Sequence, residues 1–169
     1  PERAQTRSVL SRSLDSSSPL ISSRRNPLVK RLRTLSTRAG REAEGLLLLE
    51  GTHLLQEVLR QGNAPEEIIA TEAWLQGHSA LAARCSQARW RIVTDEVLRA
   101  ALTTVTPDGV ACLSPLDRLP PVPPELDFLL VLDRIQDPGN LGTLLRTALA
   151  ADVNAVWMGA GVDPLGTKV

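Results

Sequence analysis

Residues 127–152 read DFLLVLDRIQDPGNLGTLLRTALAAD, and the fold class turns on them. Phe128 to Leu132 is a continuous apolar run, which predicts a buried strand. The run stops at Asp133. From Asn140 onward a helical pattern begins, with Leu141, Leu144, Leu145, Ala148 and Leu149 as its apolar face. The polar loop between them holds Asp137, Pro138, Gly139 and Asn140. Either Asp137 or Asn140 can cap the helix, and Pro138 and Gly139 can shape the turn. A strand that opens through a loop onto a helix N-terminus is where α/β proteins tend to hold ligands. Capping does not account for Arg146. It stands among leucines on a helix with almost no other charge, and a guanidinium is costly to bury unless it is paired or used. It is either half of a structural ion pair or a functional cation.

Downstream, Ala155–Met158 predicts a second strand, followed by Gly159-Ala160-Gly161. A Rossmann reading of these glycines fails: no third glycine has the right spacing, and Asp163-Pro164 opposes an immediate helix. A plain strand-to-loop turn remains. Residues 127–169 thus yield strand, helix, strand, too little to bury both faces of a sheet, and they read as part of a larger domain. Upstream, residues 114–125 hold five of the twelve prolines. Such a stretch is stiff and extended, and a linker is expected over 118–126. Before it, apolar runs at Leu46–Leu49, Ile68-Ile69, Trp90–Val93 and Val110–Leu113 predict strands. Helices are expected over 53–61 with Thr52 as cap, from Glu72 to Arg84 with a break at Gly77, and from an Asp95 cap to Leu102. That alternation predicts a mainly parallel, three-layer α/β domain over 21–117.

Charge is unevenly spread. Residues 1–41 carry ten Lys/Arg against two acids, and residues 42–169 carry nine against seventeen. The basic end is either a solvated tail or a surface that meets a polyanion. Asn26-Pro27 predicts a helix start. Leu28, Val29, Leu32 and Leu35 then line one face, while Lys30, Arg31, Arg33, Arg38 and Arg41 are left for solvent or phosphate. The residues expected to contact a nucleic-acid backbone are Arg24, Arg25, Asn26, Lys30, Arg31 and Arg33. No aromatic residues are interleaved, so base stacking is not expected. Residues 1–20 read as a disordered basic arm; 1–18 equally suit an organellar transit peptide, the alternative to a cytoplasmic protein. Cys85 and Cys112 are isolated, the two histidines make no metal-ligand spacing with them, and no run is long enough to span a membrane.

Asp137, Pro138, Asn140, Gly142, Arg146, Thr147 and Ala148 match, in order and spacing, the D-P-x-N-x-G-x-x-x-R-T-A pattern of the first motif of the SpoU (TrmH-like) family of RNA 2′-O-methyltransferases. SSRRNPLVKRLRTL and LLLLEGTHLLQEVL more loosely resemble that family's substrate-binding domain. The resemblance spans about residues 21–169. It implies a small three-layer α/β substrate-binding domain followed by the beginning of a SPOUT domain, an α/β methyltransferase fold with a trefoil knot. It implies S-adenosylmethionine as cofactor, a homodimer, and a ribose 2′-hydroxyl of structured RNA as acceptor, rRNA ahead of tRNA. In family terms Arg146 helps activate that hydroxyl and Asn140 helps order the site. An electrostatic role suits a guanidinium better than proton abstraction, although a proton-accepting Arg146 stays open. Glu50-Gly51 resembles a family signature, with turn shaping and surface exposure as equal readings. The family's second and third motifs form the knot and most of the cofactor pocket. VDPLGTKV, residues 162–169, looks like the approach to the second. Cofactor-binding residues are therefore expected beyond Val169, and the chain is expected to be an incomplete, inactive portion. Two competitors stand beside this reading: a non-catalytic RNA-binding module without the knot, and an unrelated nucleotide-binding α/β protein.

Overall fold

Asn26 and Pro27 begin the first helix, α1 (Pro27–Leu35). The Asn26 side chain accepts a hydrogen bond from the Leu28 amide at 2.9 Å, and Pro27 lacks the amide that a first helical turn would leave unpaired. The computed structural model describes residues 19–118 and 124–166. Most of the expected basic arm and most of the expected linker lie outside the described residues. The chain forms two compact units that divide after Arg118.

In the first unit α1 is followed by α2 (Arg38–Glu44), β1 (Leu46–Glu50), α3 (Thr52–Arg60) and β2 (Glu67–Ala70). Then come α4 (Glu72–Gly77), α5 (Ser79–Ala83), β3 (Arg89–Ile92), α6 (Asp95–Ala101), β4 (Val110–Pro115) and a short 3-10 turn, Leu116–Arg118. Alternate residues of each strand serve opposite faces of the sheet. Leu46, Leu48, Ile69, Ala111 and Leu113 pack under α1 and α6. Ile68, Ala70, Trp90, Val110 and Cys112 pack with residues of α3, α4 and α5 on the other face. The three-layer α/β architecture is therefore as expected.

The sheet is not mainly parallel. Its order is β1-β4-β2-β3; β4 runs antiparallel to both β1 and β2, and only β2 and β3 pair in parallel. The helices after β1 and β2 carry the chain back across the sheet, as a parallel crossover requires. After β3 the chain does not cross. α6 has only seven residues, about 10 Å of rise, and the following loop enters β4 at the end where β2 finishes. There the Thr71 amide bonds the Gly109 carbonyl at 2.9 Å, and Ala70 pairs with Val110.

Several caps differ from expectation. Gly51, at φ 103°, precedes α3, and Thr52 is its first residue, its amide held by Asp108 Oδ2 at 2.8 Å. Thr94, not Asp95, caps α6. The break between α4 and α5 comes after Gly77, at His78. Asp108 and Thr94 lie outside the periodic stretches they serve, where apolar spacing carries no information.

The second unit is β5 (Leu129–Leu132), α7 (Pro138–Ala150) and β6 (Ala155–Met158). β5 and β6 pair in parallel, Leu129 opposite Ala155 through Leu132 opposite Met158. Asp137 caps α7, its Oδ1 accepting from the Asn140 amide at 2.7 Å, so the helix starts two residues before Asn140. Leu141, Gly142 and Ala148 form the buried face of α7. Phe128 falls outside the strand and is half exposed, and Leu149, expected on the apolar face, is 82% exposed.

Candidate functional site

The basic helix carries a groove. Arg24, Arg25, Asn26, Val29, Lys30, Arg33, Thr34 and Thr37 line an open hollow of about 430 Å³. Lys30, Arg33, Thr34 and Thr37 fall at i, i+3, i+4 and i+7, one helical face continued into the start of the next helix. Asn26 reaches the groove as the cap of α1, so its amide group stays free to donate while its oxygen is engaged. The Lys30 ammonium and the Arg25 guanidinium have no hydrogen-bond or ion-pair partner among the described residues. The Arg24 guanidinium lies 3.6 Å from Glu96, both largely exposed. Arg33 donates through Nε to the Ala100 carbonyl at 2.7 Å, which ties α1 to the end of α6 and leaves both terminal nitrogens.

Two of the arginines that the sequence leaves for solvent or phosphate, Arg31 and Arg41, are used elsewhere. Arg31 donates through Nε to Glu44 and through Nη1 to Glu67, each at 2.7 Å. Glu67 is 2% exposed and also accepts from Arg91 Nε at 2.9 Å. Burial alone would raise the Glu67 pKa, but hydrogen bonds and charge from Arg91 and Arg31 outweigh it and hold the carboxyl below its ordinary value. Arg31 is raised: its own desolvation, which opposes the charge, is outweighed by Glu44 and Glu67. Arg41 is buried, and its Nη1 donates to the carbonyls of Leu35 and Ser36, capping the end of α1. Position on a basic helix did not distinguish these roles, because the acidic partner of Arg31 on the sheet is 36 residues away.

At the far end of β1, the Glu50 carboxylate accepts from the Thr103 amide at 3.0 Å, the Thr103 hydroxyl at 2.9 Å and the Thr104 amide at 2.8 Å. These bonds outweigh its desolvation and lower its pKa. Glu50 is thus a tie for the loop before β4, a role that its place after an apolar run did not reveal. Burial pushes the Cys85 thiol up to about 11, and burial together with Cys85 pushes Cys112 up to about 12, so neither supplies a thiolate near neutral pH.

In the second unit Arg146 is exposed rather than buried. Only one face of α7 packs on the two strands, and Arg146 points away from it. Its Nη2 donates to Thr143 Oγ1 at 3.3 Å, and it makes no ion pair among the described residues. Asn140, Thr143, Arg146 and Thr147 all lie exposed within about a third of the helix circumference. The structure therefore brings Asn140 and Arg146 to one side of α7, on the helix whose N-terminus follows β5. At the ends of β5 and β6 a small cavity, about 10 Å³, is lined by Leu132, Ile135, Leu141, Met158 and Gly159–Val162. That is room for about one water molecule. S-adenosylmethionine does not fit in that cavity. Gly161 packs directly on the Ile135 backbone, and the Val162 amide bonds the Ile135 carbonyl at 2.8 Å. The glycines of this turn allow close approach of two loops.

A family model described as the MRM3-like substrate binding domain matches residues 26–112, just over half of the chain. The chain belongs to the SpoU family of RNA methyltransferases. This SpoU chain is 45% identical to an uncharacterized tRNA/rRNA methyltransferase of Synechocystis, over 88% of its own length and 56% of that protein. It is 32% identical to the 23S rRNA guanosine 2′-O-methyltransferase RlmP of Bacillus subtilis, over 83% of its own length and 54% of RlmP. It thus spans about half the length of these curated relatives. Among solved structures, the AdoMet-bound rRNA methyltransferase from Sinorhizobium meliloti superposes with a TM-score of 0.73 at 26% identity, covering 89% of this chain and 58% of that one.

Proposed function

We propose that the protein methylates a ribose 2′-hydroxyl of RNA, rRNA ahead of tRNA, and that this chain supplies the RNA grip and the acceptor side of the site. One observation carries the reading: Asn140 and Arg146, in register with the SpoU pattern, stand exposed on the same side of α7. S-adenosylmethionine, bound in the Sinorhizobium neighbour, is the methyl donor in this proposal, and its binding is assigned to none of the described residues. RlmP supports the 2′-hydroxyl as acceptor and rRNA as substrate by its own activity.

A ribose hydroxyl becomes a useful nucleophile only as its proton is weakened and its oxygen is held in line. A guanidinium stays protonated at neutral pH, so Arg146 acts as a fixed cation. It holds the phosphate beside the acceptor ribose and stabilises charge developing on O2′. The bond to Thr143 uses one of its five donors and steers the side chain along the helix. Asn140, with its backbone amide donating to Asp137 and its side chain without a partner among the described residues, orders the same surface. In the whole protein, Arg146→Ala is expected to lower methyl incorporation into unmodified rRNA by about 100-fold or more, with only the small loss of RNA affinity that one phosphate contact brings and an unchanged circular dichroism spectrum. Near-normal incorporation by that variant removes Arg146 from the mechanism.

The basic groove on α1 supports a second reading, in which the protein binds RNA without transferring a methyl group. RNA affinity with no methyl incorporation in the wild type would select it.

A further inference from the structure

We infer that the groove on α1 takes helical RNA through its sugar-phosphate backbone, gripped by Lys30, Arg25, Arg24 and Arg33, and that Arg31 is not among the RNA contacts. The inference rests on the proposal that the protein acts on RNA, and it names the form of RNA that this surface fits.

Three observations carry it. First, four cations converge on one open hollow, and two of them, Lys30 and Arg25, have no partner within the protein among the described residues. Second, the first unit exposes no Phe, Tyr or Trp ring among the described residues: Trp74 and Trp90 are 3% and 6% exposed, and Phe128 and Trp157 belong to the second unit. Modules that read single strands splay the bases and stack them on aromatic side chains. This surface offers no such platform. Its other lining groups, Asn26, Thr34 and Thr37, are polar groups of the kind that meet phosphate and ribose oxygens. Third, Arg31 faces Glu44 and Glu67, and the buried carboxylate of Glu67 fixes it there. Freeing Arg31 for a phosphate would leave a buried charge short of a partner. Arg24 is different: its contact with Glu96 is long and exposed, so a phosphate can replace it at little cost.

Counterion release provides the test. The full chain is titrated with a hairpin RNA of about two helical turns and with an unstructured single strand of equal length, across a series of KCl concentrations. The hairpin is expected to bind at least five-fold tighter. For four phosphate contacts, the plot of log K against log salt should have a slope of about −3 to −4. Lys30→Ala and Arg25→Ala should each make it shallower by about one. Arg31→Gln should leave it unchanged. Equal or tighter binding of the single strand would overturn the assignment to helical RNA. An unchanged slope in both Lys30→Ala and Arg25→Ala would overturn the groove. A slope made shallower by Arg31→Gln to the same degree would overturn the separation of Arg31 from the other cations. Binding is read without turnover, so a failure of the Arg146 methylation test leaves this result standing, and absence of RNA binding with methylation intact sinks only the groove.

Discussion

Lys30 and Arg31 are adjacent on one basic helix, yet among the described residues one has no partner and the other is the centre of a charge network. The difference comes from the sheet: β2 begins with Glu67, whose side chain lies under α1 and has to be neutralised there. Arg31 and Arg91 approach it from two elements. Removing the acid would leave two cations facing a buried site with no counter-charge. Glu67→Ala is therefore expected to cost about 3 kcal/mol, the lower end for a broken buried pair, because both arginines keep partial contact with water. Urea unfolding followed by circular dichroism measures it. The pH dependence follows from the direction of the shift. The folded-state pKa of Glu67 lies below its ordinary value, so its contribution is fully present above the unfolded pKa, about 4.3, and is lost as pH falls through the folded one. Wild type and Glu67→Gln should thus differ in urea midpoint at pH 7 and converge only as pH falls through the lowered folded-state pKa of Glu67. A gap that persists at low pH would mean that packing, not the carboxylate charge, sets the effect.

At the scale of elements, two glycines of α2 show different constraints. A Cβ on Gly40 would run into the Thr34 carbonyl oxygen, backbone that cannot move aside without separating α1 from α2. Gly45 ends the helix at φ 65° and has open space around it. Gly45→Ala therefore meets only the left-handed backbone penalty, about 1 kcal/mol. Gly40→Ala should cost about 2–3 kcal/mol and weaken RNA binding through the displaced α1. Denaturation midpoints and hairpin affinity check both; equal costs would show that the close helix contact is relieved elsewhere. These elements also show what was legible beforehand. The Asn26-Pro27 start, the strands of both units and the motif helix followed from capping chemistry and apolar spacing. The insertion of β4 between β1 and β2 did not, because periodicity describes one strand at a time and strand order rests on pairings across the chain. Five of the six residues expected to meet RNA line the groove, since local helix spacing set them there. The sixth, Arg31, could be separated only by seeing Glu67. Arg146 was found from its motif, but its exposure could not be read from the leucines around it, because α7 has a packed face on one side only.

At the scale of the molecule, the two units differ in how much apolar surface they bury. The first contains 23 buried apolar side chains among its described residues, spread over both faces of a four-stranded sheet; the second contains three, Leu132, Leu141 and Ala148. The second also leaves Val131, Leu149 and Trp157 63%, 82% and 54% exposed. The sequence already pointed to this, since one helix cannot cover both faces of two strands. Each buried Leu, Ile or Val side chain contributes about 1.5–3 kcal/mol before entropy is counted, and an Ala less, so the second unit has little to offset the cost of ordering its chain. The chain should not unfold in one step. Tryptophan fluorescence separates the units: Trp74 and Trp90 sit in the core of the first, and Trp157 sits on β6 of the second. In urea, the wild type should show a small early change and a larger late red shift. Trp157→Phe should abolish the early change and leave the late midpoint where it was. A single transition with the same midpoint in both proteins would show that the units unfold together and that the second draws its stability from the first.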